Sequence, residues 1–184
     1  WDPTSFAFAK DGSLCIPTVF CSYSGEALDK KTPLLRSMDE VSRQAVRILR
    51  LFGDNETKRV TSTVGAEQEY FLISRILRNQ RKDLLFTGRT LFGAPAPKGQ
   101  EMDDHYYGPL KAQVVEYMKE VDEALWMLGI DAKTKHNEAA PAQHELAPIY
   151  TDANTACDHN QLTMEIMKKL AGRHGMVCLL HEKP

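Results

Sequence analysis

Apolar positions recur at helical spacing in three stretches of the chain and alternate or cluster in the shorter runs between them. In residues 36–52, RSMDEVSRQAVRILRLF, the side chains Val41, Ala45, Ile48, Leu49 and Phe52 fall on one face of a helix. Ser37 stands at its N-cap with Glu40 at the capping-box position, and Gly53 ends it. In residues 109–128, Pro109 sits at a helix N-terminal position, Val114, Met118, Val121, Leu125 and Leu128 form an apolar stripe, and Gly129 closes the helix. In residues 153–173, Ile166, Met167 and Leu170 face inward and Asn154 or Thr155 caps.

Between these helices the pattern changes. Residues 1–35 mix aromatics, β-branched residues, Gly and Pro, which predicts short strands and turns, with a turn at Asp11-Gly12. Residues 60–74 and 84–92 read as strands, and 75–82 as a solvated loop or short helix. Residues 93–108 form a long irregular loop, a type of segment that often carries function. Residues 130–138 and 143–150 are two arms about a turn at 139–142, and GMVCLL (175–180) is a final strand. The order helix, strands, helix, hairpin, helix, strand predicts an α+β fold, a mainly antiparallel β-sheet with helices packed on one face.

Composition narrows this little. The 184 residues are 42% hydrophobic and 26% charged, enough for a real core. The net charge of -2 implies no basic face, so nucleic acid is not an expected partner. No apolar run approaches the ~20 residues of a membrane span. Cys15, Cys21, Cys157 and Cys178 lack metal-site or disulfide spacing and read as reduced thiols in or near the core, which suits a cytoplasmic setting. The chain starts at Trp1 rather than Met and stops at Pro184 just after a strand, so both ends look cut.

The candidate chemistry lies in the carboxylates. Glu67 and Glu69 in GAEQEYFLI would share one strand face, roughly 7 Å apart. In KHNEAAPAQHELAPIY, the turn at 139–142 would bring Glu138 and Glu145 opposite or nearly so. His136 shares the face of Glu138, and Gln143 that of Glu145, while His144 points the other way. Solvent-facing glutamates, with Lys135 in a surface ion pair, would account for the same residues. If the four carboxylates converge, their repulsion must be offset, and an oxygen ligand set points to Mg2+ or Mn2+. Mg2+ on carboxylates commonly serves a phosphate-bearing substrate, hence phosphoryl transfer. Neither GxxxxGK[ST] nor GxGxxG occurs, so a nucleotide would be held in another way.

These residues resemble a known family. GAEQEYFLI is similar to the Glu-x-Glu strand of glutamine synthetases, and Glu138, Pro141, Gln143 and Glu145 fill their Glu-x-x-Pro-x-Gln-x-Glu motif. HEKP (181–184) resembles the Lys-Pro exit of the next strand, with His181 and Glu182 departing from the commoner apolar residues there. From DPTSFAF through SYSGEALDKKTPLLRS to HEKP, the chain looks like the first part of the catalytic region of a type III glutamine synthetase, the long bacterial form.

The resemblance implies a partial glutamine synthetase and guanido kinase-like catalytic fold. It implies ATP-dependent ligation of ammonia to glutamate through γ-glutamyl phosphate, with two divalent metals. Glu69, Glu138 and Glu145 would hold the metal on the glutamate side, Glu67 the metal on the ATP phosphates, and Glu138 would lie near the ammonium pocket as the catalytic residue. It further implies a cytoplasmic homo-oligomer of stacked rings. The small N-terminal β domain and the C-terminal part of the catalytic domain, including an Asn-Gly-Ser-Gly-x-His segment after Pro184, would lie outside residues 1–184. The segment alone is therefore expected to be inactive. A related phosphotransferase acting on a guanidino group or an amino acid, and a non-catalytic assembly or regulatory module, are the alternatives.

Overall fold

At Asp11-Gly12 the backbone takes positive φ at both residues, 52° and 76°, the conformation that closes a two-residue hairpin. It joins β1 (Phe8–Lys10) to β2 (Ser13–Cys15) in antiparallel register. This is a computed structural model that describes residues 1–95 and 98–180. The chain divides into two compact units: Trp1–Gly65 with Tyr150–His159, and Ala66–Ile149 with the residues from Asn160 onward.

In the first unit, α1 (Lys31–Leu51) starts six residues before Ser37, the expected N-terminal cap. Ser37 is inside the helix and donates to the Leu34 carbonyl, while Asp29 accepts the Thr32 N–H at 2.8 Å and takes over the capping role. The expected inward face is also corrected. Val41, Ile48 and Phe52 are exposed, and the buried positions are Thr32, Ser42 and Val46. Ser42 Oγ accepts the Val60 N–H at 3.0 Å, so the loop after the helix binds on the polar side of the apolar stripe. Gly53, at φ 92°, ends the helix as its sequence requires. A short pair, β3 (Thr63–Val64) with β7 (Thr151–Asp152), leads into α5 (Ala153–Ala171). Asp152, not Asn154 or Thr155, supplies the helix cap, accepting the Thr155 N–H at 3.1 Å.

The second unit is a four-stranded antiparallel sheet of order β5-β6-β4-β8, built from Ala132–Asn137, Gln143–Pro148, Gln68–Ser74 and Met176–Leu179. One face carries Tyr70, Leu72, Leu146, Met176 and Cys178 into the core. Against it lie α4 (Ala112–Trp126), through Val114, Tyr117, Met118, Val121 and Leu125, and α5, through Ile166, Met167 and Leu170. Helices therefore cover one face, as the α+β reading expected, and both apolar stripes are the buried ones.

The expected strand over 84–92 is not formed. Residues 75–79 make α2 and 82–87 make α3, separated by Gln80 and Arg81. Asp83 accepts both guanidinium nitrogens of Arg81 and the Leu91 N–H, Thr87 Oγ1 donates to the Asp83 carbonyl, and Gly88 ends the helix at φ 71°. Local polar closure thus outweighs the strand propensity of the apolar run. All four cysteines are free thiols, but Cys21 and Cys157 are exposed, so the core reading holds only for buried Cys178 and half-buried Cys15.

Candidate metal centre

The carboxylates lie on the sheet face away from the helices. The turn spans 139–142, with Ala142 at φ 60°. Glu138 N–H donates to the Gln143 carbonyl, so Glu138 stands opposite Gln143 and not opposite Glu145. Glu145 on β6 is instead flanked on both sides: His136 of β5 is its register partner on one edge and Glu69 of β4 on the other. His136, Glu145 and Glu69 thus form a row across three strands, with Glu138 diagonal to Glu145.

The tightest group of ligand atoms is His136, Glu138 and Glu145, which come within 4.8 Å of one another. His136 Nε2 lies 2.9 Å from Glu145 Oε2, and its Nδ1 lies 3.5 Å from Glu138 Oε1. His136 Nδ1 is also 2.8 Å from the Asn137 carbonyl, which can only accept, so this nitrogen carries the hydrogen. Two lone pairs do not face each other at 2.9 Å, so a proton sits between Nε2 and Oε2. Burial, then the hydrogen bond and charge of Glu138 and the charge of Glu67, push the Glu145 carboxyl up to about 7, with His136 opposing.

Glu67 and Glu69 fall outside that tight group. Glu67 precedes β4 and is exposed, yet its charge is felt at Glu145. Glu69 accepts from Gln143 Nε2 at 2.8 Å, and Gln143 is itself buried with its Oε1 3.4 Å from the Ala140 N–H. Gln143 therefore holds the turn and one carboxylate together. His144 points to the helix face, is buried beside Tyr70 with ring centroids 5.8 Å apart, and has its pKa lowered to about 4 by burial and the nearby Lys111. Lys135 is not a counter-charge to the glutamates. Strand alternation turns it to the helix face, where it pairs with Asp122.

Sequence pattern gave no sign of Tyr106. This residue of the 93–108 segment packs edge-on against His136 with centroids 5.0 Å apart. Asn137 Nδ2 donates to the Gly108 carbonyl at 2.9 Å, fastening the end of the segment beside the carboxylates. His181, Glu182, Lys183 and Pro184 lie outside the described residues.

A family model described as glutamine synthetase, catalytic domain, matches residues 43–184. With the antiparallel sheet and its glutamate-lined face in place, this match defines the class: the chain belongs to the glutamine synthetase family. A second model, glutamine synthetase type III N terminal, matches residues 1–37, and the chain is a type III member. It is 63% identical to a glutamine synthetase of Butyrivibrio fibrisolvens over 97% of its length, and 52% identical to the type-3 glutamine synthetase of Dictyostelium discoideum over all of it. The chain spans about a quarter of the length of these relatives (25% and 26%). The cryoEM structure of Plasmodium falciparum glutamine synthetase shares the fold at a TM-score of 0.62 and 18% identity, over 97% of this chain and 36% of that one.

Proposed function

We propose that this chain supplies the carboxylate half of a glutamine synthetase centre, in an enzyme that ligates ammonia to glutamate at the expense of ATP. The observation that carries the reading is the row His136–Glu145–Glu69 with Glu138 beside it. Glu138 and Glu145 are half-buried and Glu67 and Glu69 exposed beside them, and the Glu145 carboxyl, pushed up to about 7 by burial, Glu138 and Glu67, records the repulsion. A divalent cation relieves both costs, so the donor set fits the metal that the family implies.

By the family's pattern, Glu69, Glu138 and Glu145 would hold the cation on the glutamate side, and Glu67 the cation facing ATP. The cations supply positive charge that lets an anionic acceptor and a triphosphate approach. Gln143 fixes the Glu69 carboxylate by its 2.8 Å hydrogen bond, and Tyr106 limits the swing of His136. Glu138, at the edge of the turn, would accept hydrogens from an ammonium ion, a role that rests on the family. Two metals, cytoplasmic residence and stacked-ring assembly belong to this reading and rest on the family. So does the division of the chain, as the N-terminal part of a catalytic domain whose partner domains lie elsewhere in the protein. Residues 1–184 alone are expected to be inactive, because half of the ligand set that the family implies would lie elsewhere in the protein.

The test is calorimetric titration of Mn2+ into the chain and into Glu138→Ala with Glu145→Ala. Loss of binding by at least tenfold in the double variant is expected. Equal binding by both removes the metal reading.

A further inference from the structure

The net charge of -2 conceals a strongly basic groove in the first unit. It lies between α1 and the segment that follows it, and is lined by Asp39, Ser42, Arg43, Val46, Arg47, Arg50, Lys58 and Arg59. Five cations and one acid line an open groove of about 650 Å3. Positions 39, 43, 46 and 50 recur at helical spacing, so the helix presents the groove as one face.

The cations are not all committed. Arg43 is held by Glu40, with its Nε 2.8 Å from Oε2, and Arg59 lies 3.3 Å from Asp39. Arg47 reaches only the neutral Gln44, at 3.3 Å. Arg50 and Lys58 make no ion pair among the described residues. Three exposed positive charges, those of Arg47, Arg50 and Lys58, therefore face one groove without an ion-pair partner among the described residues, which makes the groove attractive to an anion. The floor is firm. Val46 is 8% exposed and Ser42 is 7% exposed, with its Oγ occupied by the Val60 N–H so that its own hydrogen is left to donate.

We propose that this groove binds a small anion bearing two or more phosphates, at a site separate from the carboxylate face. Guanidinium forks match phosphate oxygens two at a time, and a lysine adds a mobile point charge. The volume suits a small ligand. Three unbalanced charges match a diphosphate better than a single carboxylate. A macromolecular occupant, an acidic peptide or a single-stranded nucleic acid, would use the same charges but would also need contacts beyond the groove.

The experiment is titration of pyrophosphate into the full-length protein in EDTA, where the carboxylate face lacks the cations it would need to attract phosphate. One equivalent per chain is expected, with affinity falling as salt is raised. The variant Arg47→Gln with Arg50→Gln and Lys58→Gln should bind about a hundredfold more weakly, and Lys58→Gln alone about tenfold more weakly. Both should keep the wild-type melting temperature and Mn2+ affinity. The single variant carries the test if the triple one does not fold. Absence of binding by the wild type, or undiminished binding by Lys58→Gln, overturns the proposal. Tighter binding of poly-glutamate or of a single-stranded oligonucleotide than of pyrophosphate also overturns it, in favour of a docking surface. Because EDTA silences the carboxylate face, failure here leaves the metal reading untouched.

Discussion

Glu145 stands directly across from His136, with Oε2 2.9 Å from Nε2, at the centre of a row that Glu69 completes. The proton between them is the local solution to a problem that burial, Glu138 and Glu67 create at Glu145. A cation would take its place, so acid and metal compete for one set of oxygens.

That competition gives the chain an inverted pH response. The Glu145 carboxyl is pushed up to about 7 from an ordinary 4.5, so between these values the folded state holds a proton that the unfolded chain releases. Stability is therefore highest below pH 4.5 for this group and falls as pH rises through 7. A tenfold change in proton affinity is about 1.4 kcal/mol, so the loss across the window is on the order of 2 kcal/mol after solvent screening. Thermal unfolding between pH 5 and 8 should show the decline, Mn2+ should cancel it, and Glu145→Gln should flatten it. A wild-type melting curve that climbs steadily to pH 8 without metal contradicts this account.

Neighbouring residues on β5 should separate metal affinity from stability. Lys135 faces the helices and pairs with Asp122, which is 3% exposed. Lys135→Ala strands that carboxylate and should cost about 2 kcal/mol, a figure reduced by the partial exposure of Lys135, with Mn2+ affinity unchanged. His136→Ala removes the group that favours the charged form of Glu145 and should weaken Mn2+ about tenfold or more, with little change in stability. Chemical denaturation and calorimetry on the two variants read the two axes, and a swap of the two phenotypes would mean that the strand faces have been assigned backwards.

How much of this was legible in the sequence depended on whether a pattern had one structural solution. The stripe Val114–Leu125 did, because a helix with that face must bury it, and it does. The stripe of α1 did not. Periodicity marks Val41, Ile48 and Phe52 as one face but does not say that anything covers it, and the polar anchors Ser42 and Asp29 decided the packing. The helix at 82–87 was hidden because Asp83 and Gly88 act through turn chemistry rather than hydrophobic period. At the carboxylates the turn bounds were legible, but they place Glu138 opposite Gln143, and His136 is what faces Glu145. Tyr106 sits in an aperiodic segment, and only its packing on His136 brings it to the site.

The core of the second unit should be sensitive at Tyr117. Its ring is fully buried and its hydroxyl donates to the Met167 carbonyl at 3.0 Å, joining α4 to α5. Tyr117→Phe keeps the ring and should cost about 1 kcal/mol. Tyr117→Ala leaves a cavity under Tyr70, whose ring centroid is 6.2 Å away, and should cost about 3–5 kcal/mol. Urea unfolding monitored by far-UV circular dichroism would rank the two, and equal costs would mean that the hydroxyl rather than the ring carries the contact.

The first unit should respond to pH in the opposite sense, through Asp2. This carboxylate is 2% exposed and accepts from Thr4 N–H at 2.9 Å and Asn154 Nδ2 at 2.8 Å, with Lys31 Nζ 3.1 Å away. Burial pushes its pKa up, but the hydrogen bonds from Thr4, Asn154 and Lys31 outweigh burial and hold it well below the ordinary carboxylate range. Its stabilisation is thus complete above the unfolded value near 4 and fades as pH falls below it. Asp2→Asn would turn a donor toward Lys31 and Asn154, and should cost about 2 kcal/mol at pH 7. At low pH the gap between wild type and variant should narrow, because the wild-type acid is being protonated as well. Amide exchange at Thr4 and in the first turn of α1, measured from pH 7 down to 3, reads this directly. Equal protection of the two proteins at pH 7 would show that the buried carboxylate is not what fastens the N-terminal segment.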